Sequence, residues 1–292
     1  MTKITQEKSF SLSPGRIAWL KLRKNKLALF GACVLILFIL LSLLAPVISP
    51  YKIDELDLFN MESKPSAQHL LGTDDLGRDV LSRLLHGGRV SITVGILASI
   101  SQVLIGTLAG AVAGYYGGIV DSIIMRIVDT IMCFPFFIVA IAMAAFVGPS
   151  LRNIIVIIAV IYWTNVTRIV RAEVLSLKKR EFIDAAHSFG LSDFEIIATH
   201  IIPNVMAPLT VYATLAIANG ILTEAALSYL GLGVKPSVPS WGNMLAAAQN
   251  LRVLQTEWWL WVPPGLMVLL TVLSINFLGD GLRDALDPKL EL

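Results

Sequence analysis

The sequence predicts an all-α membrane protein with six transmembrane helices and both termini on the cytoplasmic side. Three observations carry this prediction. Hydrophobic residues make up 55% of the chain and charged residues only 15%, whereas an ordinary soluble domain is about a quarter charged. Six apolar runs are each long enough to cross a hydrocarbon core of about 30 Å, which takes about 20 helical residues. With those six spans, 15 of the 23 Lys and Arg residues fall on the side of the termini, as the positive-inside rule asks of the cytoplasm. The runs lack the alternation of a barrel strand, and only helices or closed barrels satisfy their backbone amides in hydrocarbon.

The elements follow in order. Residues 1–26 form a cytoplasmic N-terminal segment in which Lys21, Arg23, Lys24 and Lys26 precede the first span, Leu27–Ile48. That run is too long for a signal-peptide core and no small-x-small cleavage site follows it. Residues 49–89 form the first external loop. Its acidic residues Asp74, Asp75 and Asp79 stand near His69 and His86, but the spacing fits neither a calcium loop nor a zinc site. Thr73 or Asp74 is the expected N-cap of a helix running toward His86, with Arg78 on the same face as Asp74. The core, residues 90–292, holds the other five spans.

Span 2, Val90–Gly114, carries Gly106, Gly110 and Gly114 four residues apart. Such a stripe lets another helix approach closely, either within the chain or from a second membrane subunit. Tyr115–Gly118 then makes a short turn. Span 3, Ser122–Val147, holds Arg126 and Asp129 at ion-pair spacing and Pro135 as an expected kink. Span 4 is Ile154–Val170. Span 5, Val205–Gly233, holds Asn219 and Glu224, with Glu224 roughly 26 Å from its cytoplasmic start, near the outer surface. The last external loop, Val234–Trp259, contains a short helix capped by Ser240 and beginning at Trp241. Asn219, Glu224 and Trp241 are candidates for a pathway or outer gate. Span 6, Leu260–Leu278, enters behind Trp258, Trp259 and Trp261, expected as an interfacial belt. Cys33 and Cys133 read as small apolar core residues rather than a disulfide or metal framework.

The most informative stretch is Glu181–Pro203, a polar insert inside a cytoplasmic loop spanning residues 171–204. Phe182 and Phe189 are seven residues apart and share a helical face. Gly190 ends that helix as a left-handed cap. Ser192, with Glu195 three residues on, reads as the capping box of a second helix, and Pro203 marks the return to the membrane. The phenylalanine face is covered either by the chain's own helix ends or by a groove on a soluble partner. The chain shows no P-loop, no H-E-x-x-H and no G-x-S-x-G, and its net charge of +2 makes no case for nucleic acid. A catalytic role is therefore not expected, and no catalytic or metal residue is assigned.

The DAAHSFG stretch with Pro203 thirteen positions later resembles the EAA loop of binding-protein-dependent ABC importer permeases. Ala185, Ala186, Gly190 and Pro203 match, Asp184 replaces the Glu, His200 stands at the Ile position and Ile202 at the Leu position. LGTDDLGRDVLSRLLHGGRVS, MRIVDTIMCFP, EAALSYLGLG, PSWGNML and NFLGDGLRDALDPKL resemble the dipeptide, oligopeptide and nickel branch, second-permease type. The resemblance implies a type I ABC importer permease fold in a bacterial or archaeal cell membrane. It implies a second homologous permease, two cytoplasmic ATPases, an external substrate-binding protein and a lipid surround as partners. No cofactor is expected on this chain; ATP and Mg act in the partner subunits. The coupling residues are then Glu181, Phe182, Asp184, Ala185, Ala186, Phe189, Gly190 and Pro203. Di- or oligopeptides are the expected cargo. The alternatives are nickel, or a self-sufficient secondary transporter, which predicts an inverted repeat and broken helices at the midplane.

Overall fold

A computed structural model describes residues 14–286, and it is helical throughout the described residues apart from loops and one isolated bridge between Thr73 and Asp79. The N-terminal Lys3 and Lys8, and Lys289 within the DPKL stretch, lie outside the described residues. Five helices are long and apolar enough to cross a membrane. They are α2 (Lys26–Ile48), α3 (Val80–Tyr116), α6 (Leu151–Leu177), α9 (Ile202–Tyr229) and α12 (Trp258–Leu286). A sixth span forms if α4 (Gly118–Met132) and α5 (Phe136–Val147) are taken together, although they bend by 87°. Pro135, with its fixed φ and missing N–H, stands at that break, so the expected kink is a near-right-angle turn. Short helices complete the chain: α1 (Pro14–Lys24), α7 (Glu181–Ser188), α8 (Asp193–Ile196), α10 (Trp241–Leu245) and α11 (Leu251–Thr256).

Several expected boundaries move. The second span begins at Val80, ten residues before Val90, so the first-loop helix and the span are one rod. Its N-cap is Asp79, not Thr73 or Asp74: the Asp79 carboxylate accepts from the Ser82 amide at 2.8 Å. Asp79 also meets His69 Nδ1 at 3.0 Å, with Tyr51 stacked on the imidazole at 4.6 Å. These contacts fix Asp79 as the last non-helical residue. Thr73 is instead consumed by the loop, donating to the Asn60 carbonyl, and Asp74 accepts from the Leu76 and Arg78 amides in a turn. The Asp74–Arg78 pair does form, at 2.7 Å, but across that turn. Among the described residues no cluster of His, Cys, Asp and Glu is placed to hold a metal.

The seam between α3 and α6 organises the bundle. A Cβ added at Gly110 would stand 2.7 Å from both the Thr167 carbonyl oxygen and Val170 Cβ, and one at Gly114 would stand 2.8 Å from Val174 Cβ. The small-residue stripe is therefore filled from within the chain. Arg126 and Asp129 do not pair with each other. Asp129 takes Arg168 of α6 at 2.6 Å, and Asp121 takes Arg171 at 2.5 and 2.6 Å. Two ion pairs thus tie α4 to α6, with arginines of the neighbouring helix reaching both carboxylates.

At the end of the bundle opposite the insert, the 240s loop is held down by one polar knot. Ser240 caps α10, as expected, in a box with Asn243. Ser91 of α3 accepts from the Trp241 amide at 3.2 Å and donates to Glu224 at 2.8 Å, and Ser228 donates to Glu224 at 2.7 Å. Trp241 donates from Nε1 to the Leu84 carbonyl at 3.0 Å and packs edge-on to Phe38. Beside it Arg252 grips Glu62 at 2.7 Å and also pairs with Glu257. Burial pushes the Glu257 carboxyl above its usual range, against the pull of Arg252. The tryptophan belt is smaller than expected. Trp258 is exposed, but Trp259 is buried against the first loop at Gly72. Cys33 on α2 and Cys133 in the turn after α4 are exposed rather than in the core.

Gly110→Leu should force α3 and α6 apart and destabilise the protein by about 1–3 kcal/mol, the usual range for overpacking. Thermal unfolding in detergent reads this, and an unchanged transition would show that the seam is not tight. Glu224→Leu leaves the Ser91 and Ser228 hydroxyls without their acceptor and should lower stability by about 1–3 kcal/mol. Glu224→Gln, which keeps an acceptor, should lower it less; equal losses would remove the hydrogen-bonding explanation.

Candidate functional site

Two places on the bundle carry features that helix packing alone does not use. The first is the insert. Arg180 has extended backbone and α7 follows it, one short turn after α6 ends. Gly190 has φ +79°, the left-handed conformation that favours glycine, so the chain reverses there. Ser192 then closes a capping box with Glu195, whose carboxylate accepts from the Ser192 amide at 2.8 Å and its hydroxyl at 2.7 Å. These bonds hold the Glu195 carboxyl below its usual range.

The second insert helix is not separate, as expected, but runs through a π-helical turn, Ile197–Ile201, into α9. Pro203 lies in the first turn of α9, where its missing N–H is harmless.

The insert has two faces. Ile183, Ala186, Ile196 and Ile201 are buried and join Val166, Val170, Val174 and Val205 in one apolar core. Glu181, Asp184, Ala185 and Phe189 are exposed, and so is Phe194. Phe189 is 85% exposed at the C-cap of α7, whereas Phe182 is 40% exposed and lies parallel to the His200 ring at 6.5 Å. Of the expected phenylalanine pair, Phe182 is thus partly covered by the chain itself and Phe189 stands clear. Tyr115, at the end of α3, pins the elbow. Its hydroxyl donates to Asp193 at 2.8 Å and lies 3.3 Å from His187 Nε2, while Lys178 Nζ donates to its carbonyl at 2.5 Å.

The second place is a cleft of roughly 390 Å³ lined by Gln102, Tyr162, Asn165, Arg168, Tyr212 and Asn219, with Met132, Ile169 and Ala216 between them. It opens between α3, α4, α6 and α9. At about 1.5 Å per residue, Arg168 lies roughly 13 Å from the insert end of α6 and Asn219 roughly 26 Å from the start of α9. The cleft therefore sits at mid-height of the spans. Among the described residues, the side-chain amides of Gln102, Asn165 and Asn219 find no hydrogen-bond partner in the chain. In hydrocarbon such groups are costly, so this face meets water, a polar solute or another polar surface.

Of the three residues read as candidates for a pathway or gate, only Asn219 reaches this cleft. Glu224 and Trp241 are fully buried together in the knot under α10. Tyr115, Phe194 and the rest of the cleft were not anticipated. A signal for the cleft was present: Tyr212, Ala216 and Asn219 follow a four-then-three spacing along one face of α9, and Tyr162, Asn165 and Ile169 a three-then-four spacing along α6.

Comparison with known proteins places these features in a family. Residues 13–65 match the N-terminal TM domain of oligopeptide transport permease C. The chain is 42% identical to the Dipeptide transport system permease protein DppC of Alkalihalophilus pseudofirmus, over 96% of this chain and 92% of that protein. It is 41% identical to the Oligopeptide transport system permease protein OppC of Bacillus subtilis, over 96% of this chain and 91% of that one. It is 40% identical to the Di/tripeptide transport system permease protein DppC of Pseudomonas aeruginosa, over 96% and 93%. With residues 106–292 matching the binding-protein-dependent transport system inner membrane component, this multi-pass, all-helical chain belongs to that family of ABC transporter permeases.

Proposed function

We propose that this chain is one of two permease subunits of an ATP-driven peptide importer, and that it couples to cytoplasmic ATPases through α7. The observation that carries this reading is the two-faced insert. Its inner face is continuous with the core of α3, α6 and α9, and its outer face presents Phe189 and Phe194. A large apolar side chain gains roughly 1.5–3 kcal/mol on burial, so a soluble partner with a matching groove is the natural cover. Peptide cargo is supported by the relatives, which are named for dipeptide, oligopeptide and di/tripeptide transport.

In this reading the termini and the insert face the cytoplasm. The polar loops at the other end, with α10 and the Arg252 clasp, receive an external substrate-binding protein. ATP bound by the partner subunits draws the ATPases together and displaces α7. Because α7 shares its core with α3, α6 and α9, the displacement reaches those spans as a rigid-body movement. The two ion pairs between α4 and α6 provide a contact that differs between states, as any such shift requires. The neutral amides and phenols of the cleft line this chain's half of the pathway. Such groups hydrogen-bond a peptide backbone whatever its side chains, which suits a carrier whose selectivity resides in the binding protein. This chain contributes no catalytic group; hydrolysis belongs to the ATPases.

Phe189→Asp should weaken ATPase association by about tenfold to a hundredfold, the equivalent of the roughly 1.5–3 kcal/mol of lost burial, with membrane insertion intact. Co-purification of the ATPases at unchanged yield would count against coupling through α7. Asn165→Leu and Asn219→Leu should each slow ATP-driven dipeptide uptake by the reconstituted complex a few-fold, the scale of one lost hydrogen bond of about 0.5–1.5 kcal/mol. ATPase association should stay normal. Uptake at the native rate in both variants would place the pathway elsewhere.

A further inference from the structure

We infer that α1 is an interfacial helix whose exposed face binds anionic lipid headgroups. Asn25 separates α1 from α2. Its backbone is extended (φ −81°, ψ 102°) and its side chain accepts from the Leu27 and Ala28 amides. The helix axis is therefore broken at the mouth of the first span, and α1 leaves it to lean on the last turns of α12. Gly281 allows this approach: a Cβ there would stand 3.1 Å from Leu22 Cδ1.

With Leu22 turned inward, Leu20 and Lys24 lie on the opposite side of α1, and Trp19 lies beside Arg23 on the flank between, where both are exposed. Trp19 is 60% exposed, and Leu20, Arg23 and Lys24 are exposed as well. Lys26 follows at the start of α2, where Leu27 and Phe30 are exposed and face outward from the bundle. The apolar part of the α1 face is thus continuous with the lipid-facing surface of α2. Tryptophan at this level and basic residues beside it match the headgroup zone, where Trp sits by its amphipathic ring and Arg and Lys meet anionic lipids.

The charge at this corner has the required sign. Lys21 is engaged within the chain. Even without it, Arg23, Lys24, Lys26 and Arg283 outnumber Asp280 and Asp284 among the exposed groups of α1, α2 and the end of α12. Each basic residue near an anionic surface is worth about 1 kcal/mol, or about fivefold in local lipid association. A soluble protein partner is the competing occupant, but it would not account for the unbroken passage from Trp19 to the outward face of α2. This inference does not depend on the cargo or on coupling through α7.

The test is fluorescence quenching of the complete complex in phosphatidylcholine nanodiscs carrying brominated phosphatidylglycerol or brominated phosphatidylcholine. The Trp19 signal is the difference between the native complex and a Trp19→Phe complex. Brominated phosphatidylglycerol should quench this signal with at least a fivefold higher apparent association than brominated phosphatidylcholine. The triple variant Arg23→Gln, Lys24→Gln, Lys26→Gln should bring the two lipids to parity, and Arg23→Lys should keep the preference. Equal quenching by both lipids in the native complex overturns the inference. So does a preference that survives the triple change, or a Trp19 signal that neither lipid quenches until the ATPases are removed.

Discussion

The close approach of α3 to α6 is the constraint on which the remainder of the structure depends. Glycines at one face of α3 admit the valines of α6, and the same valines extend the packed seam to the insert end of the bundle. There Val170 and Val174 meet Ile183, Ala186, Ile196 and Ile201. A lipid-exposed bundle has little hydrophobic force to hold its helices together, so contact distance decides which pairs are tight. The insert inherits that tightness. It is anchored by the innermost layer of the bundle rather than hung from it by loops, and Tyr115 adds a polar pin where α3, α7 and α8 converge.

Polar groups show where the bundle is closed and where it is left open. At the α10 end most buried carboxylates are answered: Asp79 by His69 and the helix amides, Glu224 by two serine hydroxyls, and Glu62 by Arg252, while Glu257 keeps one oxygen, Oε2, without a partner. A fully satisfied network rigidifies, whereas a partly satisfied one is expensive in a medium without water. The amides around the mid-height cleft differ from the knot in that the chain supplies three of them, on Gln102, Asn165 and Asn219, with no partner. That contrast separates Glu224 from Asn219. Both are polar residues of one helix and both drew attention as candidates for a pathway, yet one closes a structural knot and the other faces open space.

The sequence was most legible where a local rule is also the final state. The apolar runs, the Ser192 and Ser240 caps, the left-handed Gly190 and the break at Pro135 follow from residue chemistry within a few positions. It was least legible where a choice among partners is made in three dimensions. Asp129 has Arg126 one turn away and still takes Arg168, because side-chain reach across a helix pair is invisible to spacing. Thr73 and Asp74 are good cap residues, but the loop has other uses for them and Asp79 has the anchored geometry. Trp259 and the two cysteines fail for the converse reason: an apolar residue in a span can face the core or the outside, and local composition does not say which. The cleft was readable in principle from the one-sided spacing of Tyr212 and Asn219, but only once α6 and α9 are known to face the same opening.

Magnitudes indicate which contacts yield during the proposed cycle. Separating α3 from α6 would expose several fully buried valines and isoleucines, each worth roughly 1.5–3 kcal/mol. α5 is held in a similar way, with Ala140 and Ala144 packed on Ile157 and Ile161. By contrast, α4 buries only Val128 among its side chains, and its hold on α6 rests largely on Asp121–Arg171 and Asp129–Arg168. The Asp129–Arg168 pair is about half exposed, and pairs that open to a water-filled cleft are worth about 0–1 kcal/mol. Exchanging the Asp129–Arg168 pair for other partners is therefore far cheaper than opening the seam. The 87° turn at Pro135 breaks the helical hydrogen bonding between α4 and α5, so α4 is not continuous with its better-anchored neighbour. Arg168 belongs both to this weak contact and to the wall of the cleft. In the proposed cycle, a movement entering through α7 finds this weak contact beside the open polar face.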